Sequence, residues 1–235
     1  MDTQTEIPNS LRQFLLEKGL VDVGFTRLQP QDLQQMEHSG MGAGDCQYGI
    51  SLAARLSDAV IEEIAEAPTH TYFHHYRTIN AFLDQMVLQT GFWLEQHGYR
   101  YLPIAASQSI NLSGWEYRGR FSHKQLACMA GLGTIGKSSL FLHKTYGPRV
   151  RLASVLTDCP VAAGQSLPES PCGSCTKCVE ACPAKAISGK PWQPGTPRDE
   201  LFSAQACSEY MKRQFQHIGR GAVCGICIRV CPYAK

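Results

Sequence analysis

The run Cys172-Gly-Ser-Cys175-Thr-Lys-Cys178-Val-Glu-Ala-Cys182-Pro183 constrains this chain more than any other stretch. It reproduces the spacing C-x2-C-x2-C-x3-C-P. Three thiolates on so tight a loop can grip one 4Fe–4S cubane, while the fourth points toward a different cluster. Pro183 turns the chain there. A shorter run follows: Cys224-Gly-Ile-Cys227-Ile-Arg-Val-Cys231-Pro232, with Gly221 where a first cysteine would stand. A cubane takes four ligands, so this second set is one short, and Cys207 in Gln-Ala-Cys207-Ser-Glu-Tyr completes it. The expected ligands of cluster one are Cys172, Cys175, Cys178 and Cys231. Those of cluster two are Cys182, Cys207, Cys224 and Cys227. Cys182 and Cys231 thus cross between runs, as in two-cluster ferredoxins. A pair of structural zinc sites is the plain alternative, but zinc does not require this rhythm.

At 235 residues the chain holds one large or two modest domains. A net charge of +2 gives no electrostatic argument for nucleic acid or an anionic membrane. The chain has 11 cysteines, and the two cluster sets absorb all but Cys46, Cys128 and Cys159. Those three are scattered and odd in number, which suits buried thiols rather than bridges. The N-terminus has no basic and apolar leader, and no apolar run is long enough to span a membrane. The expected setting is a reducing cytoplasm, with no membrane partner.

Along the chain, Asn9 or Ser10 is expected to cap a first helix that Gly19 ends. Residues 21–25 alternate as a strand, a short helix starts near Gln31, and residues 40–47 form a glycine-rich loop. Residues 48–56 read as a buried strand, and Ser57 as the cap of a helix reaching Ala67. Pro68-Thr69 opens the longest helix, to about Gly98, with Tyr72, Tyr76, Ile79, Leu83, Met86 and Leu94 facing the core and Gly91 as a weak point. His70 and His74 lie four apart without a third ligand in sight, too few for a metal. Residues 99–105 read as a strand, 122–130 as a helix capped by Ser122, and 139–142 and 150–157 as strands joined across residues 144–148. A hinge over residues 160–171 precedes the cysteines. The expected domains are 1–165 and 166–235.

Gly131-Leu-Gly-Thr-Ile-Gly136-Lys137-Ser138 matches the phosphate-loop pattern G-x-x-x-x-G-K-[ST]. That loop needs a strand before it and a helix after it, so that the helix N-terminus faces the phosphates. Here a helix is expected before and a strand after, which argues against nucleotide binding. The glycines then serve a tight turn.

Residues 122–138, then Val150-Arg-Leu-Ala-Ser-Val-Leu-Thr-Asp158, then the eight cysteines together resemble the epoxyqueuosine reductase family, from about residue 48 onward. The chain looks like one of its shorter paralogues. The resemblance implies an α+β fold: an N-terminal mixed sheet-and-helix domain of the corrinoid type, similar to that of reductive dehalogenases, then a bacterial ferredoxin-like double-cluster domain. It also implies cobalamin, held base-off, receiving electrons from two 4Fe–4S clusters. The glycine–lysine turn becomes a feature of the cofactor domain.

Two departures from the family matter. Its tRNA-acting members place an Asp as proton donor where ungapped counting puts Tyr117. A Tyr beside Arg118 can serve, since a cation favours the phenolate left behind, and dehalogenases use a tyrosine comparably. Glu116 and His123 are alternative donors, and a packed aromatic is the plain reading of Tyr117. The chain also stops at Lys235, where tRNA-acting members continue into helical repeats. This and the near-neutral charge weigh against tRNA.

The expectation is a cytoplasmic reductase fed by a soluble electron donor such as ferredoxin or flavodoxin, acting on a small molecule or modified nucleoside. Tyr117 is the catalytic candidate, and His123, Lys137, Ser138 and Arg149 are the candidate contacts to corrinoid or substrate. The alternatives are an electron-transfer or assembly partner without corrinoid, and an ATP-linked activator.

Overall fold

A computed structural model describes residues 3–37, 44–110, 117–161 and 169–233. Glu116, and parts of the expected glycine-rich loop and hinge, lie outside the described residues. The chain packs as two compact units. The first takes residues 1–54, 80–132 and 151–167, and the second takes 55–79, 133–150 and 168–235. The division at residue 165 stays a proposal about where cofactor and cluster functions separate.

The first unit is built on a four-stranded sheet ordered β1-β2-β6-β3. Its strands are β1 (Asp22–Arg27), β2 (Tyr48–Arg55), β3 (Tyr101–Ile104) and β6 (Val150–Thr157). β1 runs antiparallel to β2 with Phe25 opposite Ile50, and β3 antiparallel to β6 with Ile104 opposite Ser154. β2 and β6 read as near-continuous apolar runs because both are buried along almost their whole length.

The helices α1 (Thr3–Glu17) and α5 (His123–Met129) pack on this sheet, and α2 (Pro30–Glu37) follows β1. Leu11 and Leu15 of α1 are fully buried, each contributing about 1.5–3 kcal/mol. α1 starts ahead of the expected cap and carries Pro8 inside it, while Gly19 ends it with φ +103° as expected. Ser122 caps α5, its hydroxyl accepting from the Gln125 N–H at 3.4 Å. α5 lies very close to β2: a Cβ on Gly49 would meet Leu126 at 2.3 Å. Only glycine permits that approach. Leu126 is thereby sealed into a core with Leu28, Ile104, Phe121 and Leu156.

The longest helix, α4 (His70–Gln96), begins at Thr69, whose hydroxyl accepts from the Tyr72 N–H at 3.0 Å. Tyr72, Leu83, Met86 and Leu94 are buried, and Tyr76 and Ile79 are partly buried against a core. Gly91 is a site of close approach rather than a weak point, since a Cβ there would strike the Tyr101 ring at 2.1 Å. α4 shows no helix-long apolar character, and no helix among the described residues is long and apolar enough to cross a membrane.

The second unit holds α3 (Asp58–Glu62), a hairpin of β4 (Gly133–Ile135) and β5 (Phe141–His143), and the short helices α6 (Lys177–Ala181), α7 (Arg198–Leu201), α8 (Ala204–Gln214) and α9 (Ile226–Arg229). α3 is shorter than the sequence suggests. Ser57 stands at its N-cap without a side-chain cap bond, and its N–H donates to His75 Nε2 at 2.9 Å. β5 and β6, expected as neighbours across a turn, sit in different sheets. Leu56, Ile61, Ile64 and Tyr72 form a core with Val223, Ile226 and Ile228. That core brings residues 56–72 onto the cysteine-bearing segment.

Candidate metal centre

The eight cysteines fall into two groups of four. Cys172, Cys175, Cys178 and Cys231 together line one small cavity of about 20 Å³, with Ser138 and Leu142 in its wall. Cys231 reaches the first run because the Tyr233 hydroxyl donates to the Pro171 carbonyl. Its thiol is pushed up to about 11, first by burial and then by Cys172, Cys178 and Cys175. Among the other four, Cys182, Cys207 and Cys227 pack around Ala186 and Ile187, where Cys178 of the first loop packs too. Burial, then Cys224 and Cys182, raises the Cys207 thiol to about 11. Burial also pushes the Cys227 thiol up strongly, helped by Cys224, Cys207 and Cys182 and, more weakly, by Cys178. The two groups therefore adjoin. Cys231, from the last run, thus lines the cavity of the first run, and Cys182, from the first run, packs with Cys207 and Cys227.

Local backbone explains how the sulfurs are presented. Gly173, at φ +43°, turns the first loop, and the Cys175 N–H closes it on the Cys172 carbonyl at 2.8 Å. Thr176 begins α6, which carries Cys178. The Ala186 N–H donates to Cys182 Sγ at 3.4 Å. Ser203 caps α8 by accepting from the Ala206 N–H at 3.2 Å, and α8 carries Cys207. Gly225, at φ +80°, opens α9 between Cys224 and Cys227. Among the described residues, no group of three or more His, Cys, Asp or Glu closes on a single metal ion. Burial favours the protonated form of the Cys207, Cys227 and Cys231 thiols, so iron binding there must release protons. Two adjoining four-thiol groups fit two cubanes.

The glycine–lysine turn serves this centre. β4 occupies the middle of the phosphate-loop match and β5 follows it, so no helix N-terminus faces a phosphate there. Instead the Lys137 ammonium donates to the Gly173 carbonyl at 2.6 Å and to the Cys175 carbonyl at 3.3 Å. A Cβ on Gly136 would come within 3.2 Å of Cys172 Sγ. Ser138 is buried, and its hydroxyl accepts from the Leu140 N–H at 3.4 Å. On its outer side the first cysteine loop borders an open cleft of about 530 Å³, whose walls include Gly173, Thr176, Glu180 and Tyr233.

Arg149 is buried in the second unit and donates to Asp58 at 2.7 Å and to Glu62 at 3.3 Å. His123 belongs to the first unit, where Ser154 meets its Nδ1 at 2.7 Å and the Ala105 carbonyl meets its Nε2 at 3.0 Å. A carbonyl only accepts, so Nε2 carries the proton and Nδ1 accepts from the serine. Desolvation, with Arg151 adding to it, lowers the His123 pKa to about 4 against the opposing Ala105 bond. Tyr117 is 39% exposed and sits at φ +59°, an uncommon conformation for an aromatic residue. Sequence reasoning missed Asp58 and Glu62 as the partners of Arg149, and the carbonyls of the cysteine loop as those of Lys137. No local signal points to either.

Residues 171–234 match the family model of a 4Fe-4S double cluster binding domain. The chain is 34% identical to an epoxyqueuosine reductase from Lactococcus garvieae over 119 residues, covering 47% of this chain and 31% of that protein. It is 28% identical to a tetrachloroethene reductive dehalogenase from Sulfurospirillum multivorans over 165 residues, covering 66% of this chain and 30% of that one. A solved reductive dehalogenase, described in terms of B12-dependent dehalogenation, shares the fold with a TM-score of 0.76 at 16% identity, over 100% of this chain and 32% of its own. The chain thus spans about a third of the length of these relatives. It carries a 4Fe–4S double-cluster domain on an α+β fold, and it is similar to two kinds of reductase.

Proposed function

We propose that this chain is a cytoplasmic iron–sulfur oxidoreductase, similar to the epoxyqueuosine reductases, that passes electrons through two 4Fe–4S clusters to a corrinoid and then to a small molecule or modified nucleoside. The observation that supports the relay is the cavity that Cys231 shares with Cys172, Cys175 and Cys178, next to the packing of Cys182 with Cys207 and Cys227. Cys172, Cys175, Cys178 and Cys231 would hold cluster one, and Cys182, Cys207, Cys224 and Cys227 cluster two. The protein's contribution is geometric: it fixes the cluster separation, excludes water and tunes potential through burial and N–H···S bonds such as that from Ala186.

The corrinoid part rests on likeness to the dehalogenase described for B12-dependent dehalogenation. A corrinoid, when bound, supplies a cobalt centre that accepts electrons and hands them to a substrate. Of the corrinoid's four expected contacts, Ser138 has the weakest partner among the described residues, the Leu140 N–H at 3.4 Å. Lys137 holds the cluster-one loop, Arg149 holds α3 and His123 is bonded at both nitrogens. These three act as positioning residues. Tyr117 is the proton donor in this reading, and its left-handed backbone is the kind of outlier that collects at functional sites. The second reading, an electron carrier without corrinoid, is favoured by those same internal partners.

The experiment is anaerobic. The protein is purified with its clusters, cob(II)alamin is added and the EPR spectrum is recorded. A shift to a base-off cobalt signal supports the reductase. A free-cobalamin signal with about eight iron per chain rejects the corrinoid and leaves the carrier.

A further inference from the structure

Residues 210–235 contain no Asp or Glu but include Lys212, Arg213, Arg220 and Arg229. Lys212, Arg213 and Arg220 are exposed. Among the described residues no carboxylate pairs with any of them. The nearest acid in sequence, Glu209, accepts from Gln205.

An unusual turn sets the Arg220 backbone against the end of α8, which carries Lys212 and Arg213. Gly219, Arg220 and Gly221 adopt φ values of +59°, +59° and +70°, three left-handed residues in succession. A Cβ on Gly219 would strike the Phe73 ring at 2.2 Å, and one on Gly221 would strike Lys212 Cα at 2.6 Å. The turn is therefore clamped between Phe73 and the end of α8. Its one side chain, Arg220, is exposed, one residue before the glycine that packs on the Lys212 backbone. Arg213 lies over the Tyr210 ring at 5.7 Å. The dipole of α8 accounts for cations at Lys212 and Arg213, but not for an arginine held in a conformation that L-residues adopt at a cost.

This basic face is built from the segment that carries half of the second cysteine group. Cys207 lies five residues before Lys212 on α8, about 7.5 Å along the helix axis. Cys224 lies three residues beyond Gly221. Cluster one, by contrast, borders the open cleft.

We propose that Lys212, Arg213 and Arg220 form the docking face for an acidic one-electron carrier protein that reduces cluster two. This rests on the two-cluster reading above and gives the relay a direction, in at cluster two and out past cluster one. The step balances without bond changes: the carrier loses one electron, and the cluster passes from the 2+ to the 1+ state. A face of three cations suits electrostatic steering of a protein partner. It neutralises few phosphates, so RNA gains little there.

The test uses the anaerobically purified protein with a flavodoxin as the acidic probe. Iron content is measured first, and an iron-free protein would overturn the cluster reading itself. Binding of oxidised flavodoxin is followed by calorimetry at low and high salt, and reduction by its hydroquinone by bleaching of the cluster absorbance. Lys212→Glu with Arg220→Glu is expected to weaken binding and slow reduction about tenfold or more and to abolish their salt dependence. Reduction by dithionite is expected to stay unchanged. Arg220→Gly, which suits the left-handed turn and removes only the cation, is expected to give a smaller loss of the same kind. Lys18→Glu, in the first unit, is expected to change nothing. Wild-type affinity and rate in the reversal variant, an equal loss in Lys18→Glu, or binding of an RNA hairpin but not flavodoxin at this face would overturn the proposal.

Discussion

The Lys137 ammonium donates to the Gly173 carbonyl at 2.6 Å, across 36 residues of sequence. It ties the β4–β5 hairpin to the loop that presents three cysteines. Replacing Lys137 with Met removes this bond and the longer one to the Cys175 carbonyl. Charged hydrogen bonds are worth about 1.5–3 kcal/mol each, less where solvent reaches them. We expect Lys137→Met to lose cluster one, with iron falling from about eight toward about four per chain, and Lys137→Arg to retain most of it. Unchanged iron in Lys137→Met, by elemental analysis, would return the residue to a ligand-binding role.

The crossed ligand sets make a distinctive prediction. Cys231→Ala should remove the cluster held with Cys172, Cys175 and Cys178, although Cys231 belongs to the last run. Cys182→Ala should remove the other, although Cys182 belongs to the first. Each variant should keep about four iron, and their EPR signals should differ. Identical signals would mean that the runs do not cross.

His123 sets a pH dependence. Its folded pKa is about 4, below the ordinary 6.5, because the ring is desolvated. Between those values the unfolded chain binds a proton that the folded protein does not. The stabilisation is full above pH 6.5 and drains as the pH falls toward 4. The loss is at most about 3 kcal/mol, and partial exposure of the residue trims it. His75 is lowered by burial too and acts in the same direction. Denaturation midpoints between pH 5 and 7 should fall with acidity in the wild type and fall less steeply in His123→Asn.

Tyr117 pays for its position in backbone strain, since a left-handed L-residue costs about 1–2 kcal/mol. Tyr117→Gly should relieve some of that cost, less whatever contact the side chain loses, while ending turnover. Tyr117→Phe should keep the fold and reduce turnover about a hundredfold or more, the scale of a lost general acid. Full turnover in Tyr117→Phe would remove the residue from the chemistry.

Arg149 leans on Asp58, and the hydrogen bond between them, with help from Arg55, holds the Asp58 carboxyl below the usual range. Asp58→Asn leaves the Arg149 side chain, only 7% exposed, with Glu62 alone. We expect a loss of about 1–3 kcal/mol, at the low end because both carboxylates face water. Chemical denaturation of the cluster-loaded protein measures it.

The 4Fe–4S double-cluster domain was legible in sequence because cluster chemistry imposes spacing, and spacing survives without coordinates. The strand β1 and the helix α4 were legible through their periodicity, and β2 and β6 as continuous apolar runs. The partners of Lys137, Arg149 and His123 were not, for these contacts span 36, 91 and 31 residues and leave no local trace. Gly136-Lys137-Ser138 looked like a phosphate loop because tight turns draw on the same small residues whatever they serve. The second unit was equally hidden: residues 55–79 join the cysteine segment through an apolar core of Ile61, Ile64, Tyr72 and Ile226, which periodicity alone cannot pair.

The most direct test of the two-cluster relay is metal and spin analysis of the protein purified without oxygen. The account predicts about eight iron and no stoichiometric zinc, with two reducible cluster signals after dithionite. About two zinc per chain, or four iron with a single signal, would contradict it.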